Sequence, residues 1–150
     1  MKLAQHRDYS DLSDKAILTP PELYARLDAE FHFDFDPCPY PKGDFDGLRV
    51  PWGKRNYCNP PFWHIDGQPG ITAWVRKALS EVEQGNLVVM ALPVDGWVRL
   101  LIERCSHSRD IRFYPDWYWL TPRGEKRKDP RKLGIWVLRP AVNRYEAISR

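Results

Sequence analysis

The chain has no apolar run long enough to cross a bilayer. Its longest, such as Leu87 to Val94, fall well short of the roughly 20 residues that a spanning helix needs. The opening Met1-Lys2-Leu3-Ala4-Gln5-His6-Arg7 lacks the apolar stretch of a secretory signal. Cysteine is sparse: Cys38, Cys58 and Cys105 are three, odd in number and scattered, which reads as reduced thiols in a cytoplasmic protein. There is no Cys-x-x-Cys pair, and Cys105-Ser106-His107 is a poor chelating start. Cys38, Cys58, His64, Cys105 and His107 therefore predict no metal site. The Ser and His residues form no recognisable nucleophile arrangement. Low-complexity tracts and internal repeats are absent too, as in a globular composition. Charge of one sign is also in short supply. The net charge is +3 with a pI near 8.8, so a histone-like polycation is excluded and the local distribution of charge matters more.

What is present is a globular composition, 43% hydrophobic and 29% charged, over 150 residues. That length suits one domain able to bury a core without disulfides or structural metal. Seven Trp and fourteen Pro suggest loops held rigid around a site. Residues 1–16 read as a polar, partly ordered segment and 17–150 as a single domain. Thr19-Pro20-Pro21-Glu22 predicts a helix start, with Thr19 and Glu22 spaced as a capping box and Leu23, Leu27 and Phe31 recurring at helical spacing to about Glu30. Phe31, Phe33 and Phe35 alternate with polar residues, predicting a short strand that ends at Asp36-Pro37-Cys38-Pro39. Tyr40 to Gly53 reads as a long functional loop, and Arg55 to Cys58 as a second strand. Ile71 to Gln84 predicts an amphipathic helix with Trp74, Val75, Ala78, Leu79 and Val82 inward and Gly85 as its C-terminal stop. Leu87 to Pro93 predicts a buried parallel strand, and Trp97 to Cys105 a helix. Ile111 to Leu120 and Gly134 to Leu138 predict strands joined by the charged segment Thr121 to Leu133. This order predicts an α/β sheet, mainly parallel, with a terminal antiparallel hairpin.

Asn59-Pro60-Pro61-Phe62, directly after a predicted strand, carries the most chemistry. An exocyclic amine conjugated to a ring is a poor nucleophile. Alkylating it needs acceptors that draw its two N–H protons. The Asn59 amide oxygen can accept one and the Pro60 carbonyl the other. Consecutive prolines fix an extended backbone and remove competing donors, and Phe62 offers a flat face for a base to stack on. Ligands of open α/β sheets bind at the carboxyl ends of strands, where this turn stands. As a bare tetrapeptide it is equally an ordinary turn.

Its surroundings distinguish the two readings. Thr19-Pro20-Pro21-Glu22-Leu23, Asp36-Pro37-Cys38, Asp46-Gly47-Leu48 with Trp52, Cys58-Asn59-Pro60-Pro61-Phe62, Trp74 with Lys77-Ala78, and Leu92-Pro93 together resemble the phage-type DNA N-6-adenine methyltransferases, the Dam-like group of phages and prophages. The resemblance covers about residues 17–139. It implies a compact Rossmann-like fold that binds S-adenosylmethionine and a direct in-line transfer of its methyl group to a flipped-out adenine. Near-attack placement then supplies about 7–11 kcal/mol of the barrier. It further implies Thr19 and Pro20 beside the methionine end of the cofactor, Asp36 with Pro37 near its amino group, and Asp46 (Asp44 in reserve) on its adenine amine, with Asn59 where cofactor and base meet. Two departures stand out. Pro37-Cys38-Pro39 replaces a Gly-rich cofactor loop, and Tyr114-Pro115-Asp116-Trp117-Tyr118-Trp119 replaces a Gly-Arg element before a late aromatic strand.

Positive charge concentrates in Arg123, Lys126, Arg127, Lys128, Arg131 and Lys132 between two predicted strands, which suits a phosphate-contacting loop beside a base-flipping site or, alternatively, a solvated loop whose charges aid solubility. Trp63 and His64 follow the Asn-Pro-Pro-Phe turn and are placed to line a target pocket, whereas alternation puts Trp117 and Trp119 on one, core-facing side. The expected partner is double-stranded DNA, met by a monomer or homodimer in the cytoplasm (the bacterial host's, for a phage protein). No separate target-recognition domain fits. Rival acceptors for the same chemistry are a cytosine amine, RNA or a protein glutamine. A rival of another class is an inactive DNA-binding relative.

Overall fold

The computed structural model describes residues 17–62, 69–94, 96, 98–105, 107–108, 110–114, 117–126 and 133–142. Helix α1 spans Pro21–Phe31 and buries Leu23, Leu27 and Phe31, one residue per turn on one stripe. The predicted strand from Phe31 is thus corrected, because Phe31 completes the helical stripe. The chain then turns at His32, which adopts a left-handed φ of 52° and donates its N–H to Asp28 O. The following segment keeps only a bridge between Phe35 and Asn56, running parallel along the edge of strand β1 (Arg55–Cys58). The predicted capping box does not form either. Pro20 occupies the N-cap with no side-chain bond, and Thr19 is engaged elsewhere.

Helix α2 (Ile71–Glu83) buries the five residues its periodicity predicts, and Gly85 follows it with a φ of 96°. Glu81 is buried on the same helix. Strand β2 (Leu87–Pro93) is buried along nearly its whole length, and helix α3 (Val98–Arg104) follows. Strand β3 (Asp110–Phe113) is shorter than the predicted Ile111 to Leu120. The strand ends before Tyr114, whose carbonyl accepts from Trp117 N. Strand β4 (Leu133–Leu138) completes a sheet of order β1-β2-β4-β3.

β1 and β2 pair in parallel, whereas β4 pairs antiparallel with both β2 and β3. The sheet is therefore mixed rather than mainly parallel. β1, β2 and β3 run in one direction, and the reversed β4 inserts between β2 and β3, turning two of three neighbour pairs antiparallel. The terminal antiparallel pair of β3 and β4 is present as expected.

Side-chain alternation along β2 divides the core. Val89 and Ala91 join Tyr57, Ile135 and Val137 beneath α1, and Val88, Met90 and Leu92 join Trp136 and Leu138 beneath α2 and α3. Helices on both faces make an α/β sandwich. Trp117 and Trp119 pack against the α1 layer, on the shared side their alternation predicts, while Tyr118 is exposed. Among the described residues no helix is long and apolar enough to cross a membrane.

Candidate functional site

β1 delivers its last residue, Cys58, into the sheet and releases Asn59 at its carboxyl end. Asn56 anchors the strand by donating to Gly53 O and Leu87 O and accepting from Gly53 N, all within 3.0 Å. A short strap, Ile17 to Thr19, lies over this end. Leu18 and Leu120 exchange both backbone hydrogen bonds, at 2.8 and 2.9 Å, which ties the strap to the segment leading into the basic loop.

The strap fixes the Asn59 amide. Its nitrogen donates to Ile17 O at 2.8 Å and to Thr19 Oγ1 at 3.4 Å, so two acceptors hold it. Thr19 Oγ1 in turn shares a hydrogen bond with the Tyr57 hydroxyl. Asn59 Oδ1 is buried and, among the described residues, has no hydrogen-bond partner. Such an orphan acceptor costs about 1–3 kcal/mol, which a ligand donor can recover.

Asn59 also lines a cavity of about 430 Å³, within the range of small-molecule sites. Thr19, Asp36, Pro37 and Asp46, drawn from three separate stretches of chain, line it together with Asn59, Pro60, Pro61 and Phe62. Pro20 is buried at the start of α1 and Asp44 is exposed; neither lines the cavity. Phe62 is 8% exposed, so its ring is largely covered. Arg123 and Lys126 are exposed on a tight turn closed by Thr121 and Glu125, and Lys126 Nζ sits 4.3 Å from the Tyr118 ring centroid. Trp63, His64, Arg127, Lys128, Arg131 and Lys132 lie outside the described residues.

Asp36 Oδ1 accepts from Cys38 N at 2.9 Å. Burial pushes its carboxyl up to about 6, only partly offset by that backbone hydrogen bond. Asp46 Oδ1 accepts from Leu48 N at 3.0 Å and Oδ2 faces Arg49 at 3.5 Å, which leaves lone pairs on both oxygens. Trp52 Nε1 donates to Gly47 O at 2.7 Å, and Trp52 N to the buried Glu81 carboxylate.

Four residues that matter here escaped the sequence reading as parts of a site. Trp74, assigned to the core, also faces the cavity. Gly47 and Glu81 shape the loop from within. Tyr57, buried and cavity-lining, was legible in one respect: it stands two residues before Asn59 and so shares its side of the extended chain. No family model, curated protein or solved structure matches the chain.

Proposed function

We propose that this protein is an S-adenosylmethionine-dependent methyltransferase of compact Rossmann-like type, acting on the exocyclic amine of adenine in duplex DNA. The observation that carries the reading is the Asn59 amide: its nitrogen is bonded internally to Ile17 and Thr19, and its oxygen has no partner among the described residues. An adenine amine is a donor that suits it. Accepting its proton at Oδ1, with the Pro60 carbonyl taking the second, returns lone-pair density to the amine nitrogen.

The cavity suits the cofactor by its donor set. Asp36, a carboxyl kept partly unionised by burial, gains most from a neighbouring ammonium group. Thr19 and Asp46 add polar contacts, and Pro37, Phe45, Leu48 and Trp74 supply apolar walls for a purine ring. When bound, S-adenosylmethionine supplies an electrophilic sulfonium methyl group. The residues here orient the amine toward it and hold water away. DNA as substrate is supported by Arg123 and Lys126, exposed on a turn that Leu120 ties directly to the strap over Asn59.

The test is transfer itself. Purified protein with labelled S-adenosylmethionine and unmethylated DNA is expected to yield label in N-6-methyladenine after digestion to nucleosides. Label in cytosine would move the acceptor while keeping the mechanism. Salt-sensitive DNA binding without any cofactor binding by calorimetry would overturn the enzyme reading in favour of a DNA-binding module. Asn59→Ala is expected to abolish turnover and leave cofactor affinity within several-fold.

A further inference from the structure

We infer that Tyr57 is a positioning residue, acting through the Thr19 hydroxyl to hold the Asn59 amide with its oxygen, not its nitrogen, toward the acceptor amine. The inference rests on Asn59 as the group that meets the amine. An asparagine amide is nearly symmetric in shape, and turned over it would present two N–H donors to an amine that is itself a donor. The choice of orientation is therefore the difference between a working and a repelling site.

Two neighbours decide it. The Ile17 carbonyl can only accept, and at 2.8 Å it claims one N–H of Asn59. The Thr19 hydroxyl, 3.4 Å from the same nitrogen, can donate or accept, so on its own it would satisfy either orientation. Tyr57 removes that freedom. If the Thr19 proton is given to the Tyr57 oxygen, a Thr19 lone pair is left for Asn59. With the Tyr57 proton given to Thr19 instead, the Thr19 proton would stay free, so it is as acceptor of the Thr19 proton that Tyr57 orients the amide. Without Tyr57 the Thr19 proton is free to swing onto the amide and favour the reversed orientation.

The Tyr57 hydroxyl is held in place for this. The residue is 2% exposed, its ring meets Tyr24 edge-on at 5.1 Å and Phe33 at 5.4 Å, and a buried phenol needs a partner. Burial pushes its pKa far above the ordinary phenol value, so the proton stays on.

Tyr57→Phe keeps the ring packing and removes only the hydroxyl. Its expected effect is a fall of about tenfold or more in kcat, with cofactor Kd and the KM for DNA changing far less. Thr19→Val is expected to fall further than Thr19→Ser, which keeps a hydroxyl. A readout independent of turnover is the Asn59 side-chain amide in nitrogen-edited NMR, assigned by its disappearance in Asn59→Asp. In the parent protein one of its protons is protected from exchange by Ile17 O, and that protection falls in Tyr57→Phe. Tyr57→Phe with full kcat and unchanged Asn59 amide signals would overturn the inference. Should that variant fail to fold, equal losses in the two Thr19 variants, with equal Asn59 signals, would do the same. If the parent protein transfers no methyl group, the preceding functional reading fails, while the NMR comparison still decides the orientation.

Discussion

A β-carbon on Gly47 would lie 1.9 Å from the carbonyl oxygen of Pro37. The loop that carries Asp46 therefore rests backbone to backbone on the segment that carries Asp36, and no side chain fits between them. This contact brings two acidic residues ten positions apart in sequence to one cavity. Gly47→Ala is expected to force the loop outward, lowering stability by about 1–3 kcal/mol and the melting temperature by several degrees. Ligand affinity is expected to fall with it, since Asp46 leaves the wall. Circular dichroism melts and calorimetry check both; unchanged values in both would mean the loop does not sit on Pro37.

Asp36 makes the site sensitive to pH. Its carboxyl titrates at about 6 in the folded protein against an ordinary value of 3.8, so the folded form binds the proton more tightly than the unfolded chain. The sign follows: stability declines as pH rises from about 4 to about 6 and is level for this group above that, with a total of up to about 3 kcal/mol. A cationic ligand reverses the penalty only when Asp36 is ionised. Its affinity is then expected to weaken toward tenfold per unit as pH drops below about 6. Asp36→Asn is expected to flatten both dependences, raising stability at neutral pH and lowering cofactor affinity there. Unfolding curves and titrations at pH 4.5 to 7.5 measure this, and a parent protein with no pH-dependent affinity across that window would contradict it.

Which parts of this arrangement were readable in the sequence follows from how local their causes are. α2 and β2 were legible because each repeats one period without competition: Trp74, Ala78 and Val82 for the helix, an unbroken apolar run for the strand. Phe31 belonged to two patterns at once, period two with Phe33 and Phe35 and period four with Leu23 and Leu27. The helix takes it because a third buried turn adds more contact than an edge strand offers. Thr19 was similarly contested. Its local partner would have been the helix start, but Tyr57 and Asn59, 38 and 40 residues away, claim its hydroxyl. The insertion of β4 between β2 and β3 is a pairing decision made by the whole sheet, and no short stretch of sequence encodes it. The Asn-Pro-Pro-Phe turn was visible as a motif, whereas the strap that orients it was not.

Glu81 links the helix layer to the cavity loop. One carboxylate oxygen accepts from Lys77 Nζ at 2.7 Å and from Trp52 N at 3.3 Å, and the other accepts from Asn86 Nδ2 at 2.8 Å. Burial pushes its carboxyl upward, but the hydrogen bonds from Lys77, Asn86 and Trp52 outweigh it and the net shift is down. Its contribution is therefore full above the ordinary carboxylate value of 4.5 and is lost as pH falls below it. Glu81→Ala is expected to cost about 3 kcal/mol in urea unfolding with an unchanged m-value, because Lys77 and the Trp52 N–H lose their partner. Trp52 holds Gly47 through its indole, so ligand affinity is expected to drop in the same variant. A variant of full stability and full affinity would remove Glu81 from the account.

The turn from Leu120 to Lys126 gives the DNA reading its sharpest check. Leu120 is paired with Leu18 on one side and bridges Lys126 on the other, so charges on the turn have a fixed relation to the strap over Asn59. If Arg123 and Lys126 each neutralise a phosphate, the double variant Arg123→Gln with Lys126→Gln is expected to reduce the slope of log affinity against log salt by about 2. Binding should weaken to a similar degree on unrelated DNA sequences, because phosphate contacts carry no base information. Cofactor affinity should stay as it was, since neither residue lines the cavity. A salt slope identical to that of the parent protein would separate this turn from the duplex and leave the neighbouring basic residues to carry the contact. A slope reduced by about 2, with turnover lost only at high salt, would assign the turn to duplex docking and leave the chemistry to the cavity.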